Sequence, residues 1–555
     1  MAPAKIVPYD VFIIGAGLSG LSSLYHIRKR FPSWTVRVVE SAPSVGGTWY
    51  WNCYPGARFD SESISYHLFC DKELLQEWEW SEAFASQKEI LRYVERFAEK
   101  NELHSDIQFN TTIKSAHWLD DEGIWLFMDS DGVEYRARFL ISCLGLLSNP
   151  SVPKIPNIEN FAGEAFHTSR FPKDFVLSRD LKGKRVGVIG TGSTGIQTCT
   201  AVAQEPSIES LTVFQRTAQW AAPLRNYKIS KEQMQGYKKT YDTIKQQCAD
   251  SPQGFLYSPD PRKSLEVTEE ERLALWDRLW EEPGFGKWMS VFSDTYVDHK
   301  ANKLYSDYVA AKIRARVNDP TIADKLIPKN HGIGTRRLPL ESGYFEIYNK
   351  PNVHLVDLKE TPLETVSGKK MITSDGKEHE LDVLIFATGF DAITGSFVRV
   401  DWTSKSGRPL IGTSTTEKGK RAIWLDHRPS TNMGILVHDM PNMFMILGPH
   451  QPFGNIPRSI EHAVQVTMDL LEHCKEHGYT RVESTKKACD QWGEHVLECG
   501  RGLLSNEVDS WSTGVNTNVE GKSQRFVAKY SGSVPEYRKR CEENKTKDWQ
   551  GIVFK

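Results

Sequence analysis

The sequence predicts an α/β fold built on two strand–turn–helix units, with a block of helices inserted after the second. The first unit is Gly15-Ala-Gly17-Leu-Ser-Gly20 behind the apolar, β-branched run Asp10-Val-Phe-Ile-Ile14. The second is Gly190-Thr-Gly192-Ser-Thr-Gly195 behind Lys184-Arg-Val-Gly-Val-Ile189, 175 residues later. A G-x-G-x-x-G alone is a weak signal. Between a strand and a helix-like segment it becomes a turn whose glycines let the backbone approach a pyrophosphate at a helix N-terminus. Over about 228–325 charged, helix-period sequence replaces the strand pattern. The expected fold is therefore α/β, with two dinucleotide-binding (Rossmann-like) domains and a helical insert in the second.

The second strand of each unit separates the two cofactors. Val36-Arg-Val-Val-Glu40 ends in an acid 20 residues beyond Gly20. A carboxylate there accepts hydrogen bonds from free ribose hydroxyls, which suits FAD or NAD. Leu211-Thr-Val-Phe-Gln-Arg216-Thr217 puts a guanidinium at the matching place, 21 residues beyond Gly195. A bidentate cation matches a 2′-phosphate and favours NADP over NAD. Opposite signs at equivalent positions point to FAD in the first unit and NADPH in the second. Two dinucleotides in one chain point to electron transfer between them.

In chain order, residues 1–150 read as the first part of an FAD-binding domain. Its stretches 122–129 and 133–142 have strand composition and flank Asp131-Gly132, a hairpin signal. Pro150, Pro153 and Pro156 mark the boundary to an NADPH-binding domain over 151–384. Within the insert, Thr268-Glu-Glu-Glu271 is a capping-box pattern, and Leu275, Trp276, Leu279 and Trp280 share one helical face as core anchors. Asn352-Val-His-Leu-Val356 resumes strand character. The run 381–389 predicts a buried strand ending at Gly389 and returning the chain to the FAD domain, whose second part is 385–555. A helix through Leu470 and Leu471 and a loop-rich tail complete the reading.

A chain of 555 residues is long enough for two or three domains with full cores. With 39% hydrophobic and 25% charged residues, a formal net charge of −2 and no dense basic tract, nucleic-acid binding is excluded. No run approaches the roughly 18 apolar residues of a membrane span. The opening Met-Ala-Pro-Ala-Lys carries no apolar leader and the ending Gly-Ile-Val-Phe-Lys555 no sorting tag, so a cytoplasmic location is expected; a monomer is expected too. Nine cysteines without a C-x-x-C fit reduced thiols. They also argue against the flavin disulfide reductases, which need a redox pair beside the flavin. No metal site is expected.

Longer patterns carry a family resemblance. Phe161-Ala-Gly163-Glu-Ala-Phe-His167-Thr-Ser-Arg-Phe171-Pro172 resembles the F-x-G-x-x-x-H-x-x-x-W-[P/D] signature of Baeyer–Villiger monooxygenases, with Phe171 in place of the signature Trp. His167 taken alone reads as a satisfied loop histidine. Gly46-Gly-Thr-Trp49-Tyr-Trp-Asn-Cys-Tyr54-Pro55-Gly56-Ala-Arg-Phe-Asp60 fits that family's second signature at every defined position. Gly334-Thr-Arg336-Arg337-Leu looks like the segment carrying its active-site arginine. Ser510-Trp511-Ser-Thr-Gly-Val-Asn516 looks like its mobile loop with a nicotinamide-side tryptophan, the wording beyond Asn516 being looser. The similarity spans about 10–525.

The resemblance implies an FAD-, NADPH- and O₂-using enzyme that converts ketones to esters or lactones through a C4a-peroxyflavin. Arg337 would be the charge that stabilises the anionic adduct and Asp60 its orienting carboxylate. It places Gly15, Gly17, Gly20, Glu40, Thr48, Trp49, Asp60, Tyr66 and Ile113 at FAD. It places Arg58, Gly190, Thr191, Gly192, Ser193, Thr194, Gly195, Gln197, Arg216, Thr217, Arg336 and Trp511 at NADP. The loop 448–455, with His450 and Phe453, is expected near the substrate. The alternatives are a flavin-containing monooxygenase acting on sulfur or nitrogen, favoured by Phe171 and disfavoured by Asp60 and Arg337, and a module that merely oxidises NADPH.

Overall fold

The computed structural model describes residues 8–516 and 519–555. The expectation for the opening Met-Ala-Pro-Ala-Lys, and the part of the loop wording that falls on Thr517 and Asn518, lie outside the described residues. The first sheet has eight strands. Tyr9–Ile14 runs parallel to Val36–Val39 on one side and Glu134–Ser142 on the other, with Ile13 opposite Val38 and Ile141. Its last four residues are buried on both faces, so the strand reads as a continuous apolar run. Ile124–Asp129 and Glu134–Ser142 form the expected hairpin. Asp129 Oδ1 accepts the N–H groups of Asp131 and Val133, each at 2.9 Å, and Gly132 turns the chain at φ 82°, which a side chain resists. Leu18–Arg30 packs on Ile456–His477, where Leu470 and Leu471 are fully buried.

The second sheet has five parallel strands in the order Val353–Asp357, Ser210–Gln215, Arg185–Ile189, Val383–Phe386, Glu164–His167. The strand expected over 381–389 lies inside this sheet, and the chain leaves it only after Phe386. There the outgoing and returning segments run side by side. Ser151 donates its N–H to Gly389 O at 2.9 Å and Asp391 to Asn149 O at 2.8 Å.

The insert is helical, as its period requires. Thr268 Oγ1 accepts from Glu271 N at 3.3 Å while Glu271 Oε2 accepts from Thr268 N at 2.9 Å, closing the capping box of Glu269–Glu281. Leu275, Trp276, Leu279 and Trp280 are buried in the second core. The first helix, Lys231–Asp250, behaves differently: Met234, Tyr241 and Ile244 join the core under the first sheet, so the insert straddles both bodies.

The tail departs from its loop-rich reading. Lys486–Cys499 and Val534–Thr546 are helices, and Val482–Ser484 pairs antiparallel with Ile552–Phe554. Val534–Thr546 buries only Val534, Tyr537 and Cys541, a stripe too narrow to announce a helix among charged neighbours. Among the described residues no helix is long and apolar enough to cross a membrane, and no group of three His, Cys, Asp or Glu could hold a metal.

Candidate active site

The first fingerprint turn is packed against its own helix. A Cβ on Gly20 would lie 1.8 Å from Gly15 O, so this position excludes any side chain. Glu40 follows Val36–Val39 and is buried. Its Oε2 accepts from Ala16 N and its Oε1 from Ala42 N, both at 2.8 Å, which aims the carboxylate along the turn. A ribose fits a carboxylate held this way. Gly17 lies against Gly47, and the short helix Thr48–Trp51 begins there with Thr48 exposed. Trp49 is buried and donates Nε1–H to the Tyr66 hydroxyl at 3.0 Å. Burial pushes the Tyr66 phenol well up. Ile113 opens the strand Ile113–Leu119 and is buried, two residues after Thr111, whose N–H reaches Glu40 O at 2.9 Å.

The second turn repeats the geometry. A Cβ on Gly195 would meet Gly190 O at 2.1 Å, whereas one on Gly192 would meet nothing within 4 Å. Thr191 Oγ1 donates to Thr217 O at 2.8 Å, fixing the turn beside the next strand end. Arg216 is exposed there, and Arg336 stands near it, half-buried, with its Nε buried and unpartnered. Burial and then the Arg216 charge hold Arg336 below the usual arginine range. Among the described residues neither guanidinium makes an ion pair, and two unpaired cations side by side suit a phosphate.

Gly192 offers a clean test. Gly192→Ala should leave stability and FAD content unchanged, because the methyl enters open space. It should raise the KM for NADPH by about one to two decades, the cost of overpacking a close contact. Unchanged NADPH kinetics would place the dinucleotide elsewhere.

Between the two turns the fold joins residues 277 positions apart. Arg337 Nη1 donates to Asp60 Oδ2 at 2.9 Å and to Ser193 Oγ at 3.0 Å. The Asp60 side chain is 2% exposed and that of Arg337 28%, so the carboxylate is sealed while the guanidinium keeps a face open. Asp60 Oδ2 also accepts from Leu340 N at 3.2 Å, and Oδ1 from Gln197 Nε2 at 3.4 Å. Gln197 Oε1 accepts from the Tyr54 hydroxyl at 2.8 Å, and burial pushes that phenol up to about 12. Gln219 Nε2 holds Arg337 O at 2.7 Å. Thr194 stands in hydrogen-bonding reach of Tyr54. The signature ending at Asp60, the second fingerprint helix and the 334–340 segment thus converge on one cation.

Other expected residues sit apart from this cluster. Arg58 uses Nη1 on Glu82 at 3.2 Å and on Phe84 O at 2.9 Å, so that nitrogen already has protein partners. His167 is satisfied by Ser169 Oγ at 2.8 Å and Gly389 O at 3.1 Å, and burial draws it down to about 4. Phe171 is buried against Phe166 and Phe175. Its neighbours Arg170 and Lys173 grip the 46–60 signature, the guanidinium 4.4 Å from the Trp51 ring and the ammonium 4.0 Å from the Tyr50 ring. His450 is buried between Thr431 Oγ1 at 3.1 Å and Val527 O at 3.2 Å, and Phe453 packs on the first core. Trp511 is 39% exposed in a single turn, Trp511–Thr513. The links of Gln219 and Ser193 to Arg337 had no signal in the sequence.

Residues 9–237 match the family described as flavin-binding monooxygenase-like. The chain is 39% identical over 99% of both chains to a 2-oxo-Δ3-4,5,5-trimethylcyclopentenylacetyl-CoA monooxygenase of Pseudomonas putida. It is 37% identical to a cyclohexanone 1,2-monooxygenase of Acinetobacter sp., covering 98% of this chain and 96% of that one. The crystal structure of OTEMO with FAD and NADP superposes with a TM-score of 0.92 at 38% identity, covering 99% of this chain and all of that one. With both cofactor turns, the buried carboxylate–arginine pair and full-length relatives of this kind, the chain belongs to the Baeyer–Villiger monooxygenases of the flavin-binding monooxygenase family.

Proposed function

We propose that this protein uses NADPH and O₂ to convert a ketone to an ester or lactone, releasing NADP⁺ and water. In this reading FAD is held by 1–150 and 385–555 and NADPH by 151–384. The observation that carries it is Arg337, fixed by Asp60 and Ser193 with one face open. Bound FAD, once reduced by NADPH, supplies the electrons that activate O₂. The chain's own part is electrostatic. A guanidinium keeps its charge at any working pH, and the N–H groups that Asp60 and Ser193 do not take can meet an oxygen on which negative charge develops. Asp60 orients the fork and offsets its charge in a buried setting. The cyclic ketone in the name of the 37%-identical relative supports a cyclic ketone here, with a lactone as product. Nine free thiols support a reducing, cytosolic setting.

Incubation with NADPH and a panel of cyclic ketones and thioethers, with product identification, tests the reaction. Lactones are expected, and sulfoxides without lactones would overturn it. The purified protein should be yellow and release its flavin on denaturation, since no flavin-linking residue is called for by the site. Colourless protein that fails to take up added FAD would reject the cofactor assignment.

A further inference from the structure

The described residues between Leu504 and Tyr530 touch three separate parts of the molecule. At one end Leu504 donates its N–H to Tyr296 O at 3.1 Å, and Glu507 lies 3.1 Å from His299, both partners being in the insert. Asp509 stands within electrostatic reach of Arg336. At the other end Ala528 O accepts from His450 N at 3.0 Å, and Tyr530 N donates to Gln451 O at 3.1 Å, on the first-sheet side. Between these ends Lys522 is buried and ion-paired with Asp391, side chains 2% and 4% exposed. Asp391 belongs to the crossing where the chain passes between the two sheets, its N–H held by Asn149 O. Lys522 O accepts from Asn516 N at 2.9 Å, so the pair also holds the stretch that follows Trp511.

A buried ion pair is weak evidence for stability, because apolar residues of similar size are often as good. What it provides is a single seating, since any other position leaves a charge buried without its partner. We propose that Lys522, through Asp391, is the positioning residue that seats the Trp511 segment between the Arg216–Arg336 pair and the sheet crossing. Its consequence is read in how NADP is retained while the ketone is oxidised, and it rests on the function proposed above.

The test compares wild type, Lys522→Arg, Lys522→Met and the double variant Lys522→Met/Asp391→Leu as FAD-loaded proteins. The double variant removes both charges and should fold even where the single one does not. Measured are FAD content, NADP⁺ affinity from the flavin absorbance, NADPH KM and kcat, and hydrogen peroxide formed per NADPH. Lys522→Met and the double variant should keep FAD, bind NADP⁺ about tenfold or more weakly and form more peroxide, with Lys522→Arg near wild type. A double variant with wild-type NADP⁺ affinity and coupling overturns the proposal. Wild type that binds NADP⁺ but oxidises no ketone overturns the function instead, leaving the affinity comparison to judge Lys522.

Discussion

Arg337→Ala should abolish ester or lactone formation while the protein remains folded and yellow. Removing a preorganised charge at a developing anion costs on the order of 3–4 kcal/mol, a factor of hundreds or more in rate. The FAD site is unaffected, because Gly15 to Gly20 and Glu40 are held by their own backbone contacts with Ala16 and Ala42. NADPH should still be oxidised, though more slowly, because Ser193 loses its partner at the second turn. The measurement is product formed per NADPH consumed, with hydrogen peroxide assayed alongside. A flavin-loaded Arg337→Ala variant that still couples NADPH use to product would remove Arg337 from the mechanism. Asp60→Ala should uncouple in the same direction but less, since the guanidinium persists with Ser193 alone to orient it.

Arg216→Ala should lower kcat/KM with NADPH by about one to two decades, the range of a charge-assisted hydrogen bond of roughly 1.5–3 kcal/mol. The low end is expected, because Arg216 is exposed and Arg336 remains beside it. NADH, which has no 2′-phosphate, should be used as before. Equal losses with both cofactors would show that Arg216 supports the turn rather than reading the phosphate. High salt should shrink the difference between wild type and variant, since an exposed cation is screened.

The two nucleotide turns were legible because each is a local device: strand, glycines, helix and strand end lie within about thirty residues. The same holds for the hairpin at Asp131-Gly132 and the capping box at Thr268, where each partner lies a few residues from the other. The tail helix Val534–Thr546 was missed because its buried stripe is three residues wide. The packing of Lys231–Asp250 under the first sheet was missed because an amphipathic face does not say which core will cover it.

By itself the sequence determined the α/β class, the two glycine turns, the opposite charges of Glu40 and Arg216, and, through its signatures, the family. Those properties depend on periodicity, turn chemistry and residue type over short spans. Only the tertiary structure decided that Asp60, Ser193 and Arg337 meet, that Gln219 and Gln197 brace them, and that Lys522 finds Asp391. In each of these contacts the two partners lie far apart in the chain, by up to 277 residues. A carboxylate or an amide carries no local mark of its distant partner. The pairing follows from which segments the fold brings together, because a charge taken out of water must be met wherever the fold buries it.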